Sequence, residues 1–117
     1  MHIEAFYNYC ISLPGATDGF PFDKKTLVFK VKDKMFALTD IDKFASINLK
    51  CDPLKALELR AVYEEIQPGY HMNKKHWNTL NTKGGLKDEF ILELIRHSYD
   101  LVVEKLPKKD RIKLTSL

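Results

Sequence analysis

The stretch Gly69-Tyr70-His71-Met72-Asn73-Lys74-Lys75-His76-Trp77-Asn78 holds the only tryptophan, two of the four histidines and an adjacent lysine pair. It lies inside a window of 22 residues, Ile66 to Lys87, that contains no acidic side chain. Lysine ammonium groups bind phosphate as point charges, and Tyr70 and Trp77 offer faces on which a base can stack. Asn73 and Asn78 can hydrogen-bond to base edges or to backbone. The run shows neither the helical nor the strand period. It is therefore either a binding surface or a locally hydrogen-bonded knot. In the second case Tyr70 and Trp77 pack against the last helix and the lysines are merely hydrated.

Other chemistry finds little support. His71 and His76 are five apart, which fits neither one helix face nor the short zinc patterns, so no metal is expected. Gly84-Gly85 lacks the context of a phosphate-cradling loop, and no Gly-x-Ser-x-Gly elbow occurs, so neither a cofactor nor an enzyme activity is expected. Cys51 stands beside Asp52 at the end of an apolar run and reads as structural. The carboxylate pairs Glu64-Glu65 and Asp88-Glu89 lie near helix ends, where solvation and the helix dipole account for them.

The elements that must position these groups follow from periodicity. Ile3, Phe6, Cys10 and Leu13 recur at helical spacing, predicting a helix over 2–12. Pro14-Gly15 ends it, and Leu13 to Asp23 reads as a connecting loop. Leu27, Phe29 and Val31 alternate with Val28, Lys30 and Lys32, which predicts a strand with one wet face. Asp33-Lys34 is a plausible turn into a second strand, Met35 to Thr39, and Asp40 to Phe44 a turn into a third, where Ala45, Ile47 and Leu49 alternate with Ser46, Asn48 and Lys50. Asp52-Pro53 opens a second helix with Leu54, Leu57, Ala61 and Val62 as its expected buried side. His76 to Thr82 is the best strand candidate of the acid-free window. Asp88-Glu89 starts a long helix with an inner stripe of Ile91, Ile95, Tyr99, Val102 and Leu106. Pro107 ends it.

This order, α-β(3)-α-β(2)-α, predicts an α+β two-layer sandwich: an antiparallel sheet with its helices on one face. The other face would present Lys30, Lys32, Ser46, Asn48 and Lys50. A single domain over 1–107 is expected, with 108–117 a loose tail. The 117 residues carry a net charge of +3, with 9 basic and 10 acidic side chains in 1–68 against 10 and 6 in 69–117. That asymmetry permits an anionic partner without demanding one. No stretch suits a bilayer, no signal peptide is evident, and two distant cysteines suit free thiols in a reducing cytoplasm.

Across nearly its whole length the chain resembles the MmcQ/YjbR family. The resemblance is carried by Leu13-Pro14-Gly15-Ala16-Thr17 with Phe20-Pro21-Phe22, by Val28-Phe29-Lys30-Val31 with Lys34-Met35-Phe36-Ala37-Leu38, and by Asn48-Leu49-Lys50-Cys51-Asp52-Pro53. It continues through Pro68 to Thr79 and through His97-Ser98-Tyr99-Asp100-Leu101-Val102. It implies a compact fold similar to secretion-chaperone and frataxin-like (CyaY-like) domains, and DNA binding through a double-wing motif. Carried over by position, the implied surface is Tyr70, His71, Asn73, Lys74, Lys75, His76, Trp77 and Asn78, with no catalytic residue. The leading expectation is a non-enzymatic DNA-binding module. A protein-interaction or chaperone-like module using the sheet face is the alternative, and capture of a small anion by His71, Lys74 and His76 is a third reading.

Overall fold

The structure is a computed structural model that describes all 117 residues. Its elements run α1 (Ile3–Ser12), β1 (Ala16–Gly19), β2 (Thr26–Val31), β3 (Lys34–Asp40), β4 (Ser46–Lys50), α2 (Pro53–Val62), β5 (Ile66–Pro68), β6 (Trp77–Asn81), α3 (Asp88–Glu104) and α4 (Lys108–Thr115). The strands form one antiparallel sheet in the order β1-β2-β3-β4-β6-β5. The helices cover one face, as the periodicity predicts. Phe6 and Cys10 of α1 and Ile91, Ile95, Tyr99 and Val102 of α3 bury themselves against Leu27, Phe29, Val31, Phe36, Ile47, Leu49 and Leu80.

Five local expectations are corrected. The loop expected over Leu13 to Asp23 contains β1, which pairs with β2 and is tied to α1 by the Tyr7 hydroxyl donating to Asp18 at 3.0 Å. Its Ala-Thr-Asp-Gly sequence has little intrinsic strand preference, so pairing decides its conformation. The first hairpin turn is Lys32-Asp33, with φ of 49° and 63°, one residue earlier than expected. Two positive φ angles make a primed turn, whose twist suits the flanking strands. Lys32 therefore belongs to the turn and not to the sheet face. A bulge at Phe29/Lys30 then resets the register, so Phe36 and Ala37 both reach the core while Met35 and Leu38 face away.

The fourth correction concerns α2. Asp52 caps it as expected, accepting from the Lys55 amide at 3.1 Å. However, Leu54, Leu57 and Val62 are 72, 59 and 73% exposed, and the inward side is Ala56 with Leu59 and Tyr63. The fifth is the tail: α4 is helical, and Leu114 is buried against Gly15. Gly15 has φ of +73°, and a Cβ there would stand 2.4 Å from Leu114 Cδ2.

One gap in the sheet is filled from outside it. The Ser98 hydroxyl of α3 accepts from the Lys50 amide at 2.8 Å and donates to the Phe36 carbonyl, replacing a ladder bond between β3 and β4.

A candidate nucleic-acid interface

The segment Gly69 to His76 links β5 to β6 and folds over the helix-free face of the sheet. Its hydrogen bonds run partly within the loop and partly to β6, α2 and Cys51. The Gly69 amide donates to the Trp77 carbonyl at 2.8 Å, and the Trp77 amide to the Asn73 carbonyl at 3.0 Å. Asn73 Oδ1 accepts from the Lys75 amide at 2.9 Å. The Tyr70 amide donates to Thr79 Oγ1 at 2.9 Å, and that hydroxyl donates to Asn48 Oδ1. Gly69 is needed for contact, since a Cβ would sit 2.7 Å from Trp77 Cβ. From α2, Arg60 donates to Asn78 Oδ1 at 2.7 Å, to the Trp77 carbonyl at 3.2 Å and to the Lys74 carbonyl.

The predicted site residues therefore divide. Trp77 and Asn78 are 7 and 1% exposed and cannot touch a nucleic acid in this conformation. Trp77 packs with Val28, Leu38, Met35 and Met72 in a second, small apolar cluster, on the opposite face of the sheet from the last helix. Asn78 points to the helix side, where Arg60 holds it. Asn73 is exposed but committed to its turn. Lys74 Nζ donates to the Gly69 carbonyl at 3.1 Å, which ties down part of its reach. His76 is half-buried, and its carbonyl accepts from the Cys51 amide at 2.8 Å. Tyr70, His71 and Lys75 project outward.

What the chain brings together instead is a cleft of about 400 Å³ on that face. Phe22 and Tyr70 stand on its rim, 64 and 69% exposed. His71 and Met72 form part of its wall, and Leu38, Asp40, Ser46 and Asn48 are among the floor residues. His71 adopts φ of 58° with its ring centroid 4.0 Å from that of Tyr70. Phe22 is carried by the β1–β2 loop, which Asp23 fixes by accepting from the Lys25 and Thr26 amides at 2.9 and 2.6 Å. Those bonds, first among them the one from Thr26, hold the Asp23 carboxyl below its ordinary range. Beside the cleft lies a second hollow of about 280 Å³, lined by Thr17, Phe20, Val28 and Lys30 among others.

Phe20, Phe22 and Asp40 are absent from the predicted surface. Proline between the two phenylalanines breaks any strand period, which was the available sign that both rings leave the core. Lys50 lies two residues along β4 from Asn48, and burial followed by repulsion from Lys105 and Lys34 lowers its pKa. The thiols of Cys10 and Cys51 are pushed up by burial, which opposes a nucleophilic thiolate.

The YjbR family model matches residues 11–101. The chain belongs to the YjbR family. It is 38% identical over 109 residues to protein YbdF of Escherichia coli O157:H7, covering 92% of this chain and 89% of that one. To protein YjbR of Escherichia coli K12 it is 34% identical over 118 residues, covering all of both. Among solved structures, a Deinococcus radiodurans protein of the DUF419 domain superposes with a TM-score of 0.91 at 42% identity, over 97% of this chain and 87% of that one. A Pseudomonas syringae crystal structure gives 0.74 at 31% identity, over 86 and 98%. YjbR-family membership thus covers the whole sheet, both hollows and the Gly69–His76 loop.

Proposed function

We propose that this YjbR-family protein is a non-enzymatic DNA-binding module that holds an unpaired strand across the helix-free face of its sheet. One observation carries the reading: Tyr70 of the β5–β6 loop and Phe22 of the β1–β2 loop line the same cleft and leave most of their rings in water. Stacking a base on such a ring contributes about 1–3 kcal/mol and tolerates any sequence. A volume near 400 Å³ lies in the range of small-ligand sites and suits one nucleotide unit. Phe20 and Lys30 at the neighbouring hollow provide a second aromatic and a cation along the same face. Lys75 and Lys50 supply further positive charge for phosphate. A cytoplasmic setting is part of the proposal, supported by two unpaired thiols and by the lack of any helix long and apolar enough to cross a membrane.

Fluorescence anisotropy with labelled single-stranded and duplex DNA at low salt tests it. Single-stranded DNA is expected to bind more tightly, with affinity falling as salt rises. Tyr70→Ala and Phe22→Ala should each weaken binding roughly 10-fold while the melting temperature holds. Absence of binding, or indifference to both substitutions, overturns the reading. The exposed Leu54, Leu57 and Val62 of α2 favour a second reading, a protein-interaction module. A complex that survives nuclease and high salt but is lost in Leu54→Glu/Leu57→Glu would support it.

A further inference from the structure

We infer that the cleft selects bases bearing an amino group, guanine above the others, and that Asp40 and Asn48 make the selection. The inference rests on the strand-binding reading and specifies what its central site takes.

The polar groups at the base of the cleft are already oriented. Asn48 Oδ1 accepts from the Thr79 hydroxyl, whose oxygen accepts the Tyr70 amide at 2.9 Å. With its oxygen engaged, Asn48 offers Nδ2, a pure donor, to whatever enters. Asp40 Oδ1 accepts from the Asp42 amide at 2.9 Å and the Lys43 amide at 3.4 Å. Asp40 takes part in neither ion pair of the molecule, which are Met1 with Asp88 and Arg96 with Asp100. Its Oδ2 is left as an acceptor without a partner. Asn48 lies directly across from Leu38, two residues before Asp40 on the same sheet face, so the two side chains are diagonal neighbours. That relation sets their Cα atoms roughly 7–8 Å apart, a span that one base edge can bridge.

A ligand edge must therefore present an acceptor to Asn48 and a donor to Asp40. Guanine places a carbonyl beside two adjacent N–H groups, which a carboxylate can accept together. Adenine and cytosine each offer one amino group next to a ring acceptor and match in part. Thymine and uracil flank their single N–H with carbonyls, so one carbonyl meets the carboxylate in either orientation. A base that fills the cleft displaces water from the Asp40 carboxylate, and that strengthens the repulsion. The same carboxylate repels phosphate and leaves the backbone to the lysines outside. A free guanine nucleotide presents the same edge, and the test separates the two sources.

The probe is a labelled all-thymine oligonucleotide with its central base replaced by guanine, adenine or cytosine, titrated by anisotropy at low salt, with guanosine monophosphate as competitor. The guanine probe is expected to bind roughly 10-fold more tightly than the all-thymine probe. Asp40→Asn keeps an acceptor for the turn amides but removes the charge that favours the guanine N–H groups and repels a thymine carbonyl, so it should bring that ratio close to one by weakening the guanine probe and tightening the all-thymine probe. Asn48→Asp, which still accepts from Thr79, should move the preference away from guanine. Equal affinity for all four probes, lost in Tyr70→Ala, overturns the base selection and leaves strand binding standing. Binding of the monophosphate without any oligonucleotide supports the base selection and overturns the polymer as its source. Failure of every probe and of the monophosphate overturns both.

Discussion

Arg60 Nε donates to Asn78 Oδ1 at 2.7 Å, and the same guanidinium reaches the carbonyls of Lys74 and Trp77. One side chain of α2 thus fixes both the start of β6 and the loop that roofs the cleft. Arg60→Ala should destabilise the fold by about 1–3 kcal/mol, because a buried amide and two carbonyls lose a charged donor. Arg60→Lys should recover only part of this, since a single ammonium cannot reproduce the fork. Urea unfolding of both variants, and of the Arg60→Ala/Asn78→Ala pair as a double-mutant cycle, measures the coupling. Additive effects would mean that the contact adds nothing.

Ser98→Ala removes the hydroxyl that closes the gap between β3 and β4, stranding the Phe36 carbonyl and the Lys50 amide. A loss of about 1–3 kcal/mol is expected for leaving such buried groups unpaired. Amide exchange offers a local check: the Lys50 amide should lose protection first. A melt unchanged from the parent protein would refute the bridging role.

His97 Nε2 accepts from the Asp52 amide at 3.2 Å, joining α3 to the cap of α2. Burial, then the charge of Lys55, lowers the pKa of His97 below 6.5. Only the neutral ring can accept that bond. The folded-state pKa is depressed, so the stabilisation is present above 6.5 and is lost as the pH falls through the lower folded value. Thermal melts between neutral and mildly acid pH should show a decline that His97→Gln flattens. A variant as acid-sensitive as the parent would exclude His97 as the cause.

Gly15→Ala should loosen α4. The substitution places a side chain at a φ of +73° and into the space of Leu114. A cost of roughly 1 kcal/mol comes from the backbone alone, with the loss of Leu114 packing added. Limited proteolysis should then cut within Lys108–Thr115 sooner than in the parent. Unaltered cleavage would show that α4 does not depend on this contact.

The sequence disclosed the elements whose apolar period matched their burial. α1, α3 and the strands β2 to β4 fall where Phe6, Cys10, Ile91, Ile95 and Phe29 recur. α2 misled because its leucines form the more apolar stripe. Arg60 must face the β5–β6 loop to reach its three oxygens, and this turns Ala56, Leu59 and Tyr63 inward and Leu54 and Leu57 out. Those acceptors lie 14 to 18 residues away along the chain, beyond any local pattern. In α4, Leu114 is the single buried residue in a charged stretch, too little to mark a docked helix. In the acid-free window, polar atoms of Asn73, Lys74, Asn78 and Thr79 serve its own fold. The cleft is assembled from segments as distant as Phe22, Asp40 and Tyr70, and only the assembled sheet brings them together.

The single tryptophan sits in the minor cluster beneath Met72, apart from the helix-side core. Its intrinsic emission therefore reports on the roofed side of the sheet, whereas circular dichroism of the helices reports on the other. If the loop lifts before the sandwich melts, the two signals will part at intermediate denaturant, and a ligand that shifts Met72, which lines the cleft and packs on the Trp77 cluster, will register without any label.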